Sequence, residues 1–234
     1  MSRKSSVLVK GSELLPFAFG NALQFDGIND RVAFDVSQIA ISIEFGLSVS
    51  FWIEIDESQT NQFLIFSSNV NNVGIWFFGT TFFEVRLNSY SDRNRFSFNF
   101  LEHLGQKLHF VVRLTVSDGV TVHCNDIQLT RTISNVVDDT WGVSGIGKFI
   151  SSLLPGKFKM DELAIYENQV LTLEDITYLY NQGNGNLATD VGNPFIYYRF
   201  NSSGSSTVAI NEGTYSTDGI LENFTSPPEF WVAF

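Results

Sequence analysis

The sequence predicts an all-β protein, a two-sheet antiparallel β-sandwich with one short capping helix. Apolar and polar residues alternate along many segments, which would bury one face of each predicted strand. Turn signals containing Gly, Asn or Asp separate these segments at short intervals. The 234 residues include 23 phenylalanines, and aromatic side chains favour sheets.

The first predicted strand pair lies in residues 21–34, NALQFDGINDRVAF, where Asp26-Gly27 and Asn29-Asp30 interrupt the alternation. In LSVSFWIEI, residues 47–55, every odd-numbered position is apolar, which predicts a half-buried strand. The same pattern predicts strands at 63–66, 73–78, 82–88, 95–100 and 107–116. Asp118-Gly119 and Asn125-Asp126 then predict two tight turns that continue the meander.

One helix is predicted after the strands. Thr172 is a suitable N-cap, Asp175 follows three residues later as in a capping box, and Gly183 is expected just past the end. The apolar side of this helix would consist of Leu173, Ile176, Leu179 and Tyr180.

The chain is predicted to form a single domain over residues 1–234. A chain of this length can bury roughly 70% of its unfolded surface, enough for one full core. The N-terminal 20 or so residues and the tail 184–234 are expected to add strands to the same sandwich, because the tail is too short for an independent core.

The charge balance excludes several classes of partner. The formal net charge is −11, from 14 basic and 25 acidic residues, which repels phosphate backbones and anionic lipid surfaces. Nucleic acid is therefore not expected as a partner. The sequence shows no secretory signal and no apolar run that would insert into a membrane. Cys124 is the only cysteine, so no intrachain disulfide is expected.

Four segments together resemble the laminin-G-like, concanavalin A-like jelly-roll family. They are ALQFDGINDRVAF, GLSVSFWIEID, KLHFVVRLTVSDGVTVHCNDIQL and GKFKMDELAIYENQVLTLEDITYLYNQG. The tail segment beginning YYRFNSSGSS is similar to one that usually precedes the Asp-Gly signature in this family. Either the strand order is permuted, or the tail belongs to a truncated repeat.

This resemblance implies a non-catalytic recognition module that binds carbohydrate or a cell surface in a lectin-like manner. The alternative is an adhesion or decoration protein of a phage particle. A glycoside hydrolase or polysaccharide lyase is the least favoured alternative. The implied partner is a glycan, a cell-surface protein or a virion protein, homo-oligomerisation is left open, and the expected location is extracellular, at a cell surface or on a virion.

The family also implies a structural calcium at the rim of the sandwich. Asp26 and Asp30 are the candidate ligands, with Asp161 of the KMDEL segment as a third. Calcium prefers six to eight oxygen ligands, and only these few are visible. The alternative is that Asp26 and Asp30 stabilise a tight turn through hydrogen bonds to backbone amides.

A second candidate site consists of aromatic and hydrogen-bonding residues opposite the predicted core faces. If their strands were neighbours in one concave sheet, they would line a groove suited to sugar rings. The alternative is that loops or the tail cover the two tryptophans. The candidate ligand-binding residues are Trp52, Trp76, Arg86, His109 and Arg113, with Glu84 beside them.

The segment EIDESQ nearly reproduces the Glu-x-Asp-x-x-Glu strand of laminarinase-type glycosidases. Glu54 and Asp56 match the first two positions, but Gln59 occupies the position of the final acid. Retaining hydrolysis needs both a nucleophile and a proton donor. We therefore predict no catalytic residues.

Overall fold

The computed structural model describes residues 19–34, 39–42, 44–67, 74–87, 93–133, 140–147, 154–201, 206–224 and 231–234. Within these ranges the chain forms two large antiparallel sheets and a separate two-stranded ribbon. The predicted all-β sandwich is thereby confirmed. Residues 1–18, part of the N-terminal segment that was predicted to add a strand, lie outside the described ranges.

The strands of the described residues are, in chain order, β1 (Asn21–Asp26), β2 (Arg31–Phe34), β3 (Ile39–Ser42), β4 (Leu47–Ile55), β5 (Phe63–Ser67), β6 (Gly74–Phe78), β7 (Phe82–Arg86), β8 (Arg93–Ser97), β9 (Lys107–Thr115), β10 (Gly119–Cys124), β11 (Ile127–Gln128), β12 (Arg131–Ile133), β13 (Thr140–Val143), β14 (Gly145–Gly147), β15 (Lys157–Glu167), β16 (Ile196–Tyr198), β17 (Val208–Ala209), β18 (Gly219–Glu222) and β19 (Trp231–Ala233). Helix α1 is Leu173–Tyr180, and short 3-10 turns occur at Phe100–His103, Asn181–Gly183 and Ala188–Asp190.

The first sheet has the strand order β11-β10-β9-β4-β15-β1-β19, and β16 also pairs with β15. The second sheet has the order β12-β8-β7-β6-β5-β14-β2-β18-β17. Strands β3 and β13 form the ribbon. Strands that follow α1 pair with the first strands of the chain, because β19 pairs with β1 and β18 pairs with β2.

The predicted apolar face of β4 is confirmed, but the prediction of a half-buried strand was wrong, because Ser48, Ser50 and Trp52 on its other face are also buried. Its odd-numbered residues are fully buried and belong to the core between the sheets. The two predicted hairpin turns also form. Gly119 has φ of +73°, and Asn125 and Asp126 have φ of +49° and +63°, the left-handed conformation that these tight turns require.

Phenylalanine rings fill the space between the two sheets, with Phe110 of β9 at the centre. Its ring stacks on Phe83 of the second sheet, with centroids 4.8 Å apart and planes 7° apart. On its own sheet it stacks on Phe51 at 5.7 Å. The edges of Phe77 and Phe98 also contact it, at 5.7 and 5.2 Å. Phe110 therefore connects the two layers directly.

Helix α1 begins as predicted, with Thr172 and Asp175 forming a reciprocal capping box. Its predicted end was wrong. The helix stops at Tyr180, because Asn181 adopts the left-handed conformation with φ of +44° and donates its N–H to the carbonyl of Thr177. Asn tolerates this conformation, so it ends the helix before Gly183 is reached.

The buried side of α1 covers the outer face of the first sheet. Ile176 and Leu179 pack there in a second apolar cluster with Val111, Ala164, Tyr166 and Tyr197. The hydroxyl of Tyr166 donates to the carbonyl of Ala188 at 2.9 Å, which fixes the segment after the helix. Among the described residues, no helix has the length and apolar character needed to cross a membrane.

We expect Phe110→Ala to lower the free energy of unfolding by about 3–5 kcal/mol, because it leaves a cavity between the sheets. Phe110→Leu should cost less, since it keeps most of the buried volume. The exposed Phe45, 70% accessible, provides the control: Phe45→Ala should change stability by no more than about 0.5 kcal/mol. Urea unfolding measures all three. Equal losses for Phe110→Ala and Phe45→Ala would contradict the central role of Phe110.

Candidate functional site

A cleft of about 660 Å³ lies at one end of the sandwich, where connections from both sheets meet. The turn after β1, the loop between β4 and β5, the turn between β6 and β7, and the residues just before β15 form its walls. The described lining residues are Gly27, Ser58, Gln59, Thr60, Asn61, Gln62, Gly79, Thr80, Leu154 and Pro155.

The lining combines uncharged hydrogen-bonding side chains with a small apolar wall. The loop 58–62 supplies two hydroxyls and three amides, and Thr80 adds a hydroxyl from the opposite turn. Leu154 and Pro155 form the apolar part. Amides and hydroxyls both donate and accept hydrogen bonds without carrying charge. The cleft is therefore suited to a neutral ligand that has many hydroxyl groups and one apolar face.

Three aromatic rings of the core support the loops around this cleft. Phe158, next to Lys157, stacks on Phe25 at 4.4 Å and on Phe63 at 5.7 Å. The chain passes close over this layer at Gly156, where an added Cβ would lie 2.3 Å from the ring of Phe63. A side chain at Gly156 would therefore displace the loop or the ring.

Gln59 holds the β4–β5 loop in place. Its side-chain oxygen accepts from the N–H of Lys157 at 2.9 Å, and its side-chain nitrogen donates to the carbonyl of Asn61 at 2.7 Å. Its own N–H donates to the carbonyl of Asp56 at 2.9 Å. The loop is thus fastened to β15 and to itself, and it needs little ordering when a ligand binds.

Gln62 fastens the same loop to the second sheet, because its side-chain oxygen accepts from the N–H of Gly79 at 3.1 Å. Thr60 and Asn61, by contrast, are exposed at the tip of the loop. A rigid backbone therefore presents exposed hydroxyl and amide groups to the cleft, as binding loops on a fixed scaffold commonly do.

An acidic group lies beside the cleft. The carboxylate of Asp56 accepts from the N–H of Ser58 at 2.9 Å and also from the Ser58 hydroxyl, and Lys157 Nζ lies 3.3 Å away. Partial burial raises the pKa of Asp56, but the Ser58 hydrogen bonds and the charge of Lys157 outweigh it, so the net pKa shift is downward. Asp56 is therefore ionised at neutral pH and neutralises Lys157.

Asp26 and Asp30 stabilise the turn that borders the cleft at Gly27. Asp26 Oδ1 accepts from the N–H of Ile28 at 2.7 Å, and Asp30 Oδ2 accepts from the N–H of Asp26 at 2.7 Å. Gly27 has φ of +79°, and an added Cβ would lie 3.0 Å from Lys157 Cβ. This geometry matches the turn alternative considered for the sequence.

The three predicted calcium ligands do not come together. Asp26 pairs with Lys157 in the register of β1 and β15, whereas Asp161 lies four residues further along β15, about 13 Å away at the rise of a strand. Asp161 is instead buried at a bulge, where it accepts from the N–H of Glu162 at 2.9 Å. Burial and the negative charge of Glu162 raise the pKa of Asp161 to about 9.

The fit to calcium is consequently poor in the residues described. No group of three or more His, Cys, Asp or Glu residues there is arranged to hold a metal ion. Backbone amides bond one oxygen of each carboxylate, Asp26 Oδ1 and Asp30 Oδ2, and Asp30 Oδ1 is buried without a hydrogen-bond partner. Calcium binding by this pair stays a prediction.

The predicted aromatic groove is also not formed as one surface. Trp52, His109 and Arg113 lie on β4 and β9 of the first sheet, whereas Trp76 and Arg86 lie on β6 and β7 of the second. Both groups occupy the outer faces, on opposite sides of the sandwich. The premise that their strands are neighbours was therefore wrong, because periodicity gives the face of a strand but not its sheet.

On the first sheet, Trp52 and His109 are packed under other aromatic residues. Trp52 is 2% exposed, and its ring stacks on His109 at 4.9 Å and on Tyr180 of α1 at 6.0 Å. A Ser50 hydroxyl lies 2.8 Å from His109 Nε2. Burial lowers the pKa of His109 to about 3, so the ring is neutral at physiological pH. Arg113 lies two rows further along the same face, half-buried opposite Ser48.

On the second sheet, Glu84 is fully buried and forms ion pairs with Arg86 and Arg95. The Arg86 guanidinium lies 4.7 Å from the centre of the Trp76 ring, and the Arg95 guanidinium lies 4.0 Å from that of Phe78. Trp76 is 4% exposed. These residues form a packed layer, so no open groove is available at Trp76.

The glycosidase-like segment is occupied by structural contacts. Glu54 pairs with Lys159 Nζ at 2.7 Å, and Asp56 contacts Ser58 and Lys157. The side-chain amide of Gln59 accepts from Lys157 of β15 and donates to Asn61 of its own loop. Analysis of the sequence missed the lining residues Thr60, Asn61, Gln62 and Thr80. The signal that could have identified most of them is SQTNQ, a run of uncharged hydrogen-bonding residues between two strands.

We expect Asp30→Asn to alter the pH dependence of stability. Burial, and secondarily the nearby Asp26 carboxylate, raise the pKa of Asp30 from 3.8 to about 7. A raised folded-state pKa gives stability that is complete below about pH 4 and is lost as the pH rises through about 7. Asn mimics the protonated form and does not ionise. Between the two pH values, the free energy of unfolding of the variant should therefore fall by roughly 1–3 kcal/mol less than that of the wild type.

Urea unfolding at about pH 5 and about pH 8 measures this difference. Asp161 and Glu162 also have raised pKa values, but both proteins contain them, so their contribution to the pH dependence cancels in the comparison. Asp118→Asn removes an exposed charge but leaves Asp30 in place, and so should retain the wild-type dependence. Parallel profiles for Asp30→Asn and the wild type would show that Asp30 ionises normally.

Comparison with known proteins supports the fold. No family model matches the sequence, and no curated protein matches it. A solved structure described as a "putative carbohydrate binding protein" from Bacteroides ovatus aligns over 90% of this chain, with a TM-score of 0.66 and 14% identity. This chain spans 60% of that protein.

A heptameric SAP-like pentraxin from Limulus polyphemus aligns over 69% of this chain and 82% of its own, with a TM-score of 0.52 and 16% identity. At these identities the likeness shows a shared jelly-roll fold, and membership of the laminin-G-like family stays a prediction.

Proposed function

We propose that the protein is a non-catalytic carbohydrate-binding module that binds sugar in the cleft at the rim of the sandwich. The observation that supports this best is the lining itself, which combines hydroxyls and amides with the apolar residues Leu154 and Pro155. A sugar ring offers hydroxyls around its edge and an apolar C–H face. The cleft has a matching group for each.

The fold comparison supports the same function less directly. The Bacteroides ovatus protein shares the jelly-roll fold and is described as carbohydrate-binding, although its identity to this chain is only 14%. A fold alone does not determine function. The proposal therefore rests on the chemistry of the cleft, and the comparison makes a glycan partner at a cell surface or outside the cell the natural starting hypothesis.

The described lining of the cleft carries no pair of acids, which favours binding without catalysis. Retaining and inverting glycosidases need two carboxyl groups on either side of the scissile bond. The described lining residues include no carboxylate, and Gln59 replaces the acid that the glycosidase-like segment would need. Non-catalytic binding is accordingly the function we propose.

Calcium binding is a separate proposal, favoured only by the unpartnered Asp30 Oδ1. If the ion binds there, millimolar CaCl2 should raise the midpoint of thermal unfolding relative to EDTA, and Asp30→Asn should abolish the increase. Equal midpoints in CaCl2 and EDTA would exclude a structural calcium. The roles predicted in a phage particle and in a homo-oligomer stay predictions; the proposed sugar contacts require neither.

We expect Asn61→Ala to weaken glycan binding about 5- to 10-fold, the usual effect of losing one hydrogen bond to a bound ligand. A glycan array identifies the ligand, and isothermal titration calorimetry with that ligand measures the change. Because Asn61 is exposed, the variant should unfold like the wild type.

The matched control is Gln128→Ala, which removes an exposed amide from the edge strand β11, outside the cleft lining. Its affinity should equal that of the wild type. If no glycan on the array is bound, the proposed function is wrong. If Asn61→Ala binds the ligand as tightly as the wild type, Asn61 is not a ligand contact.

A further inference from the structure

We infer that the rim cleft selects neutral glycans and rejects the same glycans when they carry a carboxylate or sulfate group. This inference rests on the proposed function and specifies its ligand class. It follows from three features of the cleft: the chemistry of its lining, the state of the nearest lysine, and the acidic groups beside it.

The lining offers no cationic partner for an anionic sugar. Among the described residues that form it, none is Lys, Arg or His. Moving a carboxylate from water into such a cleft removes hydration that neutral amides replace only partly. Strong recognition of carboxylate or sulfate instead uses charged donors, most often Arg. Hydroxyl groups of a neutral sugar, by contrast, can form hydrogen bonds with uncharged side chains such as the exposed Thr60 and Asn61.

Lys157 lies close in sequence to the apolar wall, but its charge is already used. Its Nζ is 3.3 Å from the Asp56 carboxylate and 3.3 Å from the Ser58 hydroxyl. The pair is neutral overall and sits about one-third exposed to solvent. Lys157 Nζ therefore already has two partners. An anionic sugar that used its remaining N–H would lie next to the Asp56 carboxylate, whose repulsion offsets the attraction of Lys157.

Acidic groups beside the cleft add repulsion. Asp26 precedes the lining residue Gly27, and Glu57 precedes the lining segment 58–62, whereas the charge of Asp56 is balanced by Lys157. The formal net charge of the chain is −11. At distances below the Debye length of about 8 Å in physiological salt, a carboxylate on the ligand would be repelled by such neighbours. Desolvation and repulsion therefore act in the same direction.

The test uses a glycan array in which each neutral glycan is printed beside its sialylated and sulfated counterparts. We expect the wild type to bind neutral members and to bind their charged counterparts about tenfold more weakly at about 0.15 M NaCl. The difference should decrease at about 0.5 M NaCl, because salt screens repulsion between exposed charges.

Thr60→Arg places a guanidinium at the exposed tip of the cleft loop and should reduce or reverse the preference. Thr177→Arg is the matched control: it makes the same change in net charge on the exposed face of α1 and should keep the wild-type preference. Thermal unfolding of both variants confirms that each remains folded.

The outcomes separate the two proposals. Wild-type binding of charged and neutral counterparts with equal affinity, or a preference for the charged ones, would overturn the selection of neutral glycans but leave carbohydrate binding intact. An equal shift of preference by Thr60→Arg and Thr177→Arg would attribute the selection to net charge and overturn the assignment to the cleft. Failure of the wild type to bind any glycan would overturn both proposals.

Discussion

The packing of phenylalanine rings between the two sheets is the constraint on which the rest of the structure depends. Phe110 contacts rings from both layers, and the layer continues through Phe63 and Phe158 to the rim. Packed sheets lie about 10 Å apart, a spacing set by side chains that interdigitate. Because Gln62 and Lys157 directly precede two of these rings, the core fixes where the loops of the cleft begin and end.

The outer faces of the sandwich are covered around Trp52 and around Trp76, and the candidate site lies at the rim instead. Helix α1 covers the first sheet and buries Trp52 beneath Tyr180. On the second sheet, the fully buried Glu84 holds two arginines against aromatic rings. On the second sheet the Glu84 carboxylate is paired with both arginines, whereas on the first sheet His109 Nδ1 and Arg113 Nε are buried without a hydrogen-bond partner. Such layers stabilise the sheets, and among the described residues they leave no open surface for a sugar ring at Trp52 or Trp76.

The sequence predicts the local structure well and the candidate site poorly, for a physical reason. Alternation identifies the buried face of β4, and Asp118-Gly119 identifies a turn, because both depend on neighbours in the chain. Whether β4 and β6 belong to the same sheet depends on contacts between distant residues, which periodicity does not contain. For the same reason, the sequence did not reveal that Asp161 lies far from Asp26. It also hides the cleft, whose walls come from four separate connections, although SQTNQ marks one of them.

Gln59 shows how a single residue can decide between chemistry and architecture. An acid at this position could accept the N–H of Lys157, but when ionised it could not donate to the carbonyl of Asn61 as the amide does at 2.7 Å. The amide satisfies both groups at once and remains neutral at every pH. A residue committed to two backbone hydrogen bonds is not free to protonate a leaving group, yet it fixes the loop that carries Thr60 and Asn61. The absence of an acid at this position of the glycosidase-like segment and the rigid, uncharged loop beside the cleft therefore both follow from the same side chain.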